Sequence, residues 1–203
     1  MFKKMAKSTI TPQEETQKLI QQLQDKDYNS SDILYEICKR YVTGKEPEPI
    51  DYIFFDKGIT YISQPENSLL KLFNDHPKNK FSQFFIAKCY TLGLGGVAQC
   101  DTTAVKWYQK AANQGLAPAQ RNLGVMHQHG KGGLTQSDDE AVKWFQKAAN
   151  QGLASAQSNL GVMHQQGKGG LTQSDDEAVK WFKKAEDQGF APAQFNLGIM
   201  HEN

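Results

Sequence analysis

The sequence predicts an all-α protein, an α-solenoid built from antiparallel helix pairs, and three observations carry this prediction. Tryptophan recurs every 37 residues, at Trp107, Trp144 and Trp181. Glycine and leucine recur at the same spacing, and each unit of this length contains two stretches whose apolar residues fall on one helical face. This pattern is typical of proteins in which helical units stack on their neighbours to bury a shared core. The sequence therefore predicts an extended surface and shows no catalytic motif.

Charge and hydropathy exclude several classes of protein. Of 203 residues, 23 are Lys or Arg and 22 are Asp or Glu, a formal net charge of +1. This balance argues against a dominant surface for nucleic acid or an anionic membrane. No apolar run approaches the roughly 18 residues that a membrane span needs, and the basic N-terminus lacks the apolar core of a signal peptide. We therefore expect a cytoplasmic protein. Export to a host cell by another signal would leave no pattern to find.

The N-terminal part of the chain predicts two less regular domains. Residues 1–29 predict a polar N-terminal helix or arm, because Thr11 and Pro12 suit a helix start but the apolar stripe that follows is thin. Residues 30–80 predict degenerate helical repeats. Within them, residues 50–63 fit either a β-hairpin or a degenerate second helix. Their alignment with the later units favours the helix.

The third predicted domain, residues 81–203, is regular. Three units and a half unit are expected at about 82–118, 119–155, 156–192 and 193–203. The first helix of each full unit ends at a glycine, and in two units the second helix begins with Ser-Asp-Asp-Glu, a capping box led by Ser137 or Ser174. Gly152 and the apolar Leu153 after it predict a Schellman motif at the end of a second helix.

Several motifs recur in register within these units. Leu123-Gly124 is followed by a Gly-x-Gly-Gly loop at 130–133, and then by Ala141-x-x-Trp-Phe-x-x-Ala-Ala-x-x-Gly152. This combination resembles the Sel1-like repeat, a relative of the tetratricopeptide repeat, over roughly 82–203. The resemblance implies a right-handed solenoid whose first helices line the concave side. It also implies a protein that binds other proteins. The missing catalytic motif predicts that the chain is not an enzyme.

The chain departs from the pattern it resembles at two positions. The tyrosine usual after Leu-Gly is present as Tyr90 and becomes His127, His164 and His201 in the later units, while Glu186 replaces the second small alanine. Equivalent residues of successive units lie about one helix spacing apart, roughly 10 Å. Zinc ligands lie about 2 Å from the metal, so the histidine column predicts packing and no metal site.

The other chemistry-bearing residues also have structural interpretations. The glycine loop at 130–133 lacks the phosphate-binding P-loop pattern. The tryptophans lie at core spacing, and the paired aspartates suit helix N-termini. Cys38, Cys89 and Cys100 are odd in number and do not follow the repeat, which favours reduced thiols over a Cys89–Cys100 bridge. We therefore predict no cofactor, no metal and no catalytic residue.

The predicted partner-binding site is the face of the first helices that the core does not use. Asn122, Asn159 and Asn196 form a column like the asparagines that hold a bound peptide in the resembled tetratricopeptide family. An amide both donates to a carbonyl and accepts from an N–H, so the column suits an extended segment. The predicted residues are Phe84, Phe85, Lys88, Arg121, Asn122, Val125, Gln128, Ser158, Asn159, Val162, Gln165, Phe195, Asn196 and Ile199.

The predicted function is that of a scaffold or adaptor that holds a partner protein segment in this groove, with a bacterial effector or signalling adaptor as one form. Two other classes stay open. One is an envelope enzyme related to cysteine-rich repeat proteins linked to β-lactam chemistry, although this chain lacks their pair of cysteines per repeat. The other is a self-assembling architectural protein. The half unit at 193–203 also predicts self-association, because it carries apolar residues with no second helix to cover them.

Overall fold

A computed structural model of the chain describes residues 77–93 and 97–202. The chain divides into two units, 1–68 and 69–203, and every described residue lies in the second. The predictions for the N-terminal arm at 1–29 and for the helix or hairpin at 50–63 fall outside the described residues. So do those for the degenerate repeats, apart from residues 77–80.

Within the described residues the fold consists of seven α-helices and no strand. In chain order they are α1 (Lys80–Leu92), α2 (Asp101–Asn113), α3 (Ala117–Gln128), α4 (Asp138–Asn150), α5 (Ala154–Gln166), α6 (Asp175–Glu186) and α7 (Ala191–Glu202). Each helix packs mainly against the helix before it and the helix after it. Short connections between packed neighbours make them antiparallel, so the predicted solenoid of helix pairs is confirmed.

Serine caps begin the second helices at the predicted positions. At α4, the Glu140 N–H donates to Ser137 Oγ at 3.2 Å. The Ser137 N–H donates to the His127 carbonyl at 2.9 Å, so the glutamate does not complete the reciprocal half of the capping box. Its carboxylate instead accepts from Lys143 Nζ at 2.7 Å. The same serine cap and the same type of ion pair recur at α6, where Ser174 is the N-cap.

The second helices end as the sequence predicts. After α4, Gly152 has a φ of +88°, a left-handed conformation that glycine adopts without a steric penalty. Its N–H donates to the Ala149 carbonyl at 2.9 Å, and the Leu153 N–H donates to the Ala148 carbonyl at 3.3 Å. These two bonds define a Schellman motif. The same pair of bonds follows α2 at Gly115 and α6 at Gly189.

The Leu-Gly pair of the first helices lets a phenylalanine of the next helix approach closely. A Cβ built on Gly124 would lie 2.7 Å from Phe145 Cε1, and one on Gly161 would lie 2.7 Å from Phe182 Cε1. Both rings are completely buried. We name this arrangement the glycine–aromatic socket. It holds the two helices of a unit together, because a larger side chain would push the ring outward.

A glutamine clasp, which the sequence analysis did not identify, joins consecutive units. In the unit of α3 and α4, Gln151 Nε2 donates to Gln120 Oε1 at 2.7 Å. The buried Gln120 then donates to the Ala112 carbonyl in the preceding unit at 3.1 Å. Equivalent amide pairs are Gln114 with Gln83 and Gln188 with Gln157. Because the clasp satisfies buried amides across a joint, it stabilises one stacking arrangement over others.

The glycine loops are packing elements. Gly132 has a φ of +65°, and a Cβ there would lie 2.5 Å from the Asp101 carbonyl oxygen at the start of α2. Gly169 contacts Asp138 of α4 in the same way. Each loop therefore lies directly against a second helix of the preceding unit, and its glycines have a steric reason to recur.

Candidate partner-binding face

The candidate site, here named the first-helix face, comprises the partner-binding residues predicted on α1, α3, α5 and α7. The structure divides them into a buried group, a half-buried group and an exposed group. Among the half-buried side chains are Lys88, Gln165 and the three asparagines of the column. The exposed ones are Phe195 and Ile199 on α7, with 69% and 42% of their surface accessible.

Three of the predicted groove residues are buried, and their placement corrects the prediction. Phe84 and Phe85 are each only 4% exposed, and Ser158 is also buried. The ring of Phe84 lies 5.4 Å from that of Phe85 and 5.9 Å from that of Tyr108, measured between centroids. The prediction assumed that each first helix buries one stripe. A first helix in a stack is covered from more than one side, so a second stripe is buried as well.

The predicted valine stripe is also partly used by the core. Val125 packs against the cluster that contains Phe145 and Met163, and Val162 packs against the cluster around Phe182. These two side chains are half-buried at the joints between helices. They therefore form the floor of the first-helix face, and they do not project from it.

Gln128 also takes part in a joint between units. Its Nε2 donates to Met163 Sδ of the next first helix, at 3.4 Å. The amide is half-buried, and sulfur is a weak acceptor. Gln128 thus contacts the adjacent unit at the end of α3, where the sequence analysis expected a groove residue.

The first joint, where the helices around Tyr108 of α2 meet, differs from the later joints around Phe145 and Phe182 because it contains a buried tyrosine. Tyr108 of α2 is 2% exposed, and its hydroxyl lies 3.2 Å from Thr91 Oγ1 of α1. Burial raises the pKa of Tyr108 to about 12, while the side chains of Thr91 and Asn122 act in the opposite direction. The Tyr108 hydroxyl therefore links the first helices of two consecutive units.

Because of this tyrosine, one asparagine of the column contacts neighbouring side chains, whereas the other two have side-chain amides without a hydrogen bond among the described residues. Asn122 lies beside the Tyr108 hydroxyl, and its Oδ1 accepts from Arg121 Nη1 at 3.2 Å. The residues that correspond to Tyr108 in the next two units are phenylalanines, which have no hydroxyl. Within the described part of the chain, the side-chain amides of Asn159 and Asn196 form no hydrogen bond.

Arg121 and Lys88 are the charged groups of the first-helix face, and Arg121 is the one on α3. The side chain is half-buried, and its Nε is fully buried without a hydrogen-bond partner among the described residues. Burial lowers the pKa of the guanidinium, and the neighbouring Tyr108 opposes this effect. The positive charge thus lies in a partly desolvated position on α3.

The second helices carry a repeated stack that sequence reasoning did not identify. Lys147 Nζ lies 4.0 Å from the ring centroid of Trp144, and the pairs Lys110–Trp107 and Lys184–Trp181 have nearly the same geometry. Trp181 also packs against the cluster of α4 and α5. The tryptophans are therefore inter-helix packing residues, as predicted, with one face covered by a lysine. The signal was the Trp-x-x-Lys spacing, which places both residues on one helical face.

The histidines and cysteines do not assemble into a site in the described residues. His127 is half-buried with no partner for its Nδ1, and burial lowers its pKa. Cys89 and Cys100 are free thiols, and burial raises the pKa of Cys89 to about 12. No group of three or more potential metal ligands occurs in this part of the chain. None of its helices has the length and apolar character of a membrane span.

The stacked helix pairs define an α-helical repeat protein. The model of the Sel1 repeat matches residues 80–116, 117–153, 154–190 and 191–203. The chain therefore belongs to the Sel1 repeat family. The matched units begin two residues earlier than the sequence analysis placed them.

Several solved structures are similar to the chain. A Sel1 repeat protein from Oxalobacter formigenes is 32% identical with a TM-score of 0.60, and the match covers 76% of this chain and 58% of that one. The protein c5321, described as a protective antigen present in uropathogenic Escherichia coli strains displaying an SLR fold, is 28% identical with a TM-score of 0.61. That match covers 91% of this chain and 36% of c5321. The chain thus spans less than two thirds of either protein. No curated protein matches it.

Proposed function

We propose that this chain is a protein-interaction scaffold that holds an extended segment of a partner protein along the first-helix face. The observation that carries the proposal is the state of Asn159. This amide is half-buried and makes no hydrogen bond among the described residues, although it can donate two bonds and accept two. Membership of the Sel1 repeat family supports a protein as the partner.

The repeat spacing favours a particular conformation of the bound segment. Gln128 of α3 contacts Met163 of α5, so the first helices of these successive units are neighbours. Neighbouring helices lie about 8–10 Å apart, and we expect about that separation between equivalent asparagines. A polyproline II segment rises about 3.1 Å per residue with three residues per turn, and the same side recurs about every 9 Å. Asn159 and Asn196 would then contact backbone groups three residues apart. A β-strand would present opposite sides at that interval.

The proposed role is that of an adaptor without catalytic activity, in a bacterial effector or signalling pathway. The first-helix face offers amides, apolar contacts, the ammonium group of Lys88 and the guanidinium of Arg121, a set suited to binding. The competing proposal of an envelope enzyme predicts turnover of penicillin-type substrates. If the purified chain hydrolyses such a substrate, and if the activity survives single surface substitutions but disappears when the chain is unfolded, the adaptor proposal is replaced.

The experiment that tests binding uses two matched asparagine substitutions. Immobilised wild type, Asn159→Ala and Asn150→Ala are used to capture partners, followed by titration of overlapping peptides from each captured protein. Asn150 lies exposed at the end of α4, where its Oδ1 accepts one exposed hydrogen bond from Gln146. Such a pair is worth about 0.2–0.5 kcal/mol, so both variants should melt close to wild type. We expect Asn159→Ala to weaken peptide binding and Asn150→Ala to leave it unchanged. Equal binding by all three proteins would contradict the first-helix face as the site.

Self-association through α7 is a separate prediction of the sequence that the structure makes easier to test. Of the apolar residues expected to remain open, Phe195 is exposed, whereas Leu197 is buried and Met200 packs against the last core cluster. Phe195→Glu is therefore a cleaner substitution than a change at Leu197 or Met200. Sedimentation over a wide concentration range should show association that this variant suppresses, and a strictly monomeric wild type would contradict it.

A further inference from the structure

Arg121 differs from every residue at the equivalent position of the other units. Phe84, Ser158 and Phe195 fill that position in α1, α5 and α7, so the charge is specific to α3. Among the described residues Arg121 is also the only arginine. The positive charge is therefore not part of the repeat pattern, and packing of the repeat does not require it.

The guanidinium has hydrogen-bonding capacity that the described residues do not use. Nη1 donates to Asn122 Oδ1 at 3.2 Å, and the buried Nε has no partner. The ion pairs of the described residues are Lys143–Glu140 and Lys180–Glu177, and both lie on second helices. A partly desolvated charge without a counterion destabilises a fold. An anion from beyond the described residues would compensate this charge.

Neighbouring side chains hold this guanidinium in place. Asn122 accepts from it, and Asn122 is itself beside the Tyr108 hydroxyl, which Thr91 contacts from α1. This chain of contacts spans three helices and two units. It orients the guanidinium before any partner arrives, which reduces the entropy lost on binding.

We propose that Arg121 binds the side-chain carboxylate of an aspartate or glutamate in the partner segment. This inference rests on the proposed function and adds a specificity residue to it. A planar guanidinium binds a carboxylate through two parallel hydrogen bonds, which makes it selective for acidic over amide side chains. In the polyproline II register, the acidic residue lies about three positions from the residue that contacts Asn159, because Arg121 adjoins Asn122, the equivalent of Asn159 in the preceding unit.

The placement of Arg121 favours a side-chain carboxylate over the carboxylate at the end of a partner chain. The first-helix face continues from α3 to α1 on one side and to α5 on the other. A segment that contacts Asn159 can therefore pass Arg121 and continue, so an internal acidic residue reaches the guanidinium. A chain terminus would leave the far part of the face unused.

The test uses peptide pools that differ at one position. Both pools are N-acetylated and C-amidated and are degenerate except for a central glutamate in one and a central glutamine in the other. We expect wild type to bind the glutamate pool about tenfold more tightly or better, as a charge-assisted hydrogen bond implies. Arg121→Gln should remove this preference. Lys106→Gln, which removes an exposed charge on α2, should retain it.

A spectroscopic readout reports on the guanidinium directly. The chain contains two arginines, Arg40 and Arg121, so the two side-chain Nε–H resonances are assigned by Arg121→Lys. The glutamate pool should shift the Arg121 signal and leave the Arg40 signal in place. Thermal melting adds a control for folding, because Arg121→Gln removes an uncompensated charge and should not lower the melting temperature.

The outcomes separate this inference from the proposed function. If Asn159→Ala weakens both pools equally while wild type does not distinguish them, the groove binds a segment and the role of Arg121 is overturned. A pool with a free C-terminus and no acidic side chain that binds more tightly than the glutamate pool overturns the choice of side chain. Tight binding of a single-stranded oligonucleotide that requires Arg121 overturns the protein partner. Failure of every pool to bind overturns both proposals.

Discussion

The joint around Tyr108 and the joint around Phe145 lie at equivalent positions of consecutive units, and the aromatic residue of the first carries a hydroxyl that the second lacks. In the first, the hydroxyl contacts Thr91 and Asn122. In the second, the phenylalanine has no such group, and Asn159 is left without a hydrogen bond in the described part of the chain. Two asparagines at the same repeat position therefore have different roles. The repeat position of a residue predicts where its side chain lies. Whether that side chain can bind a partner depends on the contacts it makes with neighbouring units.

The largest change in stability is expected from removing the Phe145 ring, which belongs to the second joint. Phe145→Ala empties a completely buried position, which typically costs about 3–5 kcal/mol of unfolding free energy. Urea denaturation measures this loss. In a stack whose units contact only their neighbours, hydrogen exchange should increase first in α3 to α5. A uniform increase over all described helices would contradict a modular array.

High pH should break the first joint selectively. Burial raises the pKa of Tyr108 from 10.0 to about 12, so the folded state favours the neutral phenol. The stabilisation is complete below pH 10 and is lost as the pH rises through about 12. A difference of two in pKa corresponds to about 2–3 kcal/mol. Tyr108→Phe should reduce the alkaline loss of stability by about that amount.

The alkaline experiment needs a control for a second buried group. Burial also raises the pKa of Cys89 from 9.0 to about 12, so its thiol contributes to the same pH dependence with the same sign. Both proteins are therefore compared in a Cys89→Ala background, with urea denaturation at each pH. An identical alkaline slope with and without the Tyr108 hydroxyl would refute the predicted difference between the joints.

The glycine–aromatic socket gives a matched pair of substitutions. Gly161→Ala places a Cβ 2.7 Å from the Phe182 ring, and overpacking of this kind costs about 1–3 kcal/mol. Gly198→Ala at the equivalent position of α7 meets nothing within 4 Å. It should stabilise the helix by about 0.5–1 kcal/mol, because alanine loses less entropy than glycine. Thermal melts that shift in the same direction would contradict the socket.

The asparagine pair should show the smallest difference in stability. Asn122→Ala removes the acceptor for Arg121 and the contact with Tyr108, a loss of about 0.5–1.5 kcal/mol. Asn159→Ala removes no hydrogen bond within the described residues and should stay within about 0.5 kcal/mol of wild type. Urea denaturation of both variants checks this order. A larger loss at Asn159 would mean that its amide supports the fold.

Much of the fold follows from local sequence patterns. The 37-residue period, the serine caps at Ser137 and Ser174, and the glycine at Gly152 fixed the helix boundaries to within about two residues. These features are local, because a cap or a left-handed glycine depends on residues within one turn. Family membership, predicted from the Leu-Gly and Trp-Phe motifs, was confirmed by the matched repeats.

The candidate site was predicted less completely because it depends on contacts between units. Helical periodicity identified the stripe that contains Asn122 and Asn159. It did not show that Phe84 and Ser158 at a neighbouring position are buried. Helical periodicity also missed the network around Tyr108, because a tyrosine in place of a phenylalanine adds a hydroxyl without changing the apolar pattern of the repeat. Such contacts join residues far apart in the sequence, and periodicity does not report them.

The glutamine clasp has a consequence for how an array of this kind grows. Each unit carries both glutamines of its own clasp, and the remaining bond goes to a main-chain carbonyl, which every preceding unit offers whatever its side chains. A duplicated unit therefore arrives with the polar groups needed to dock on any neighbour. Recombination that adds or removes whole units keeps each clasp together, whereas a break inside a unit separates the buried glutamine from its exposed partner. Gene recombination can therefore lengthen or shorten the array in steps of 37 residues without disrupting a clasp.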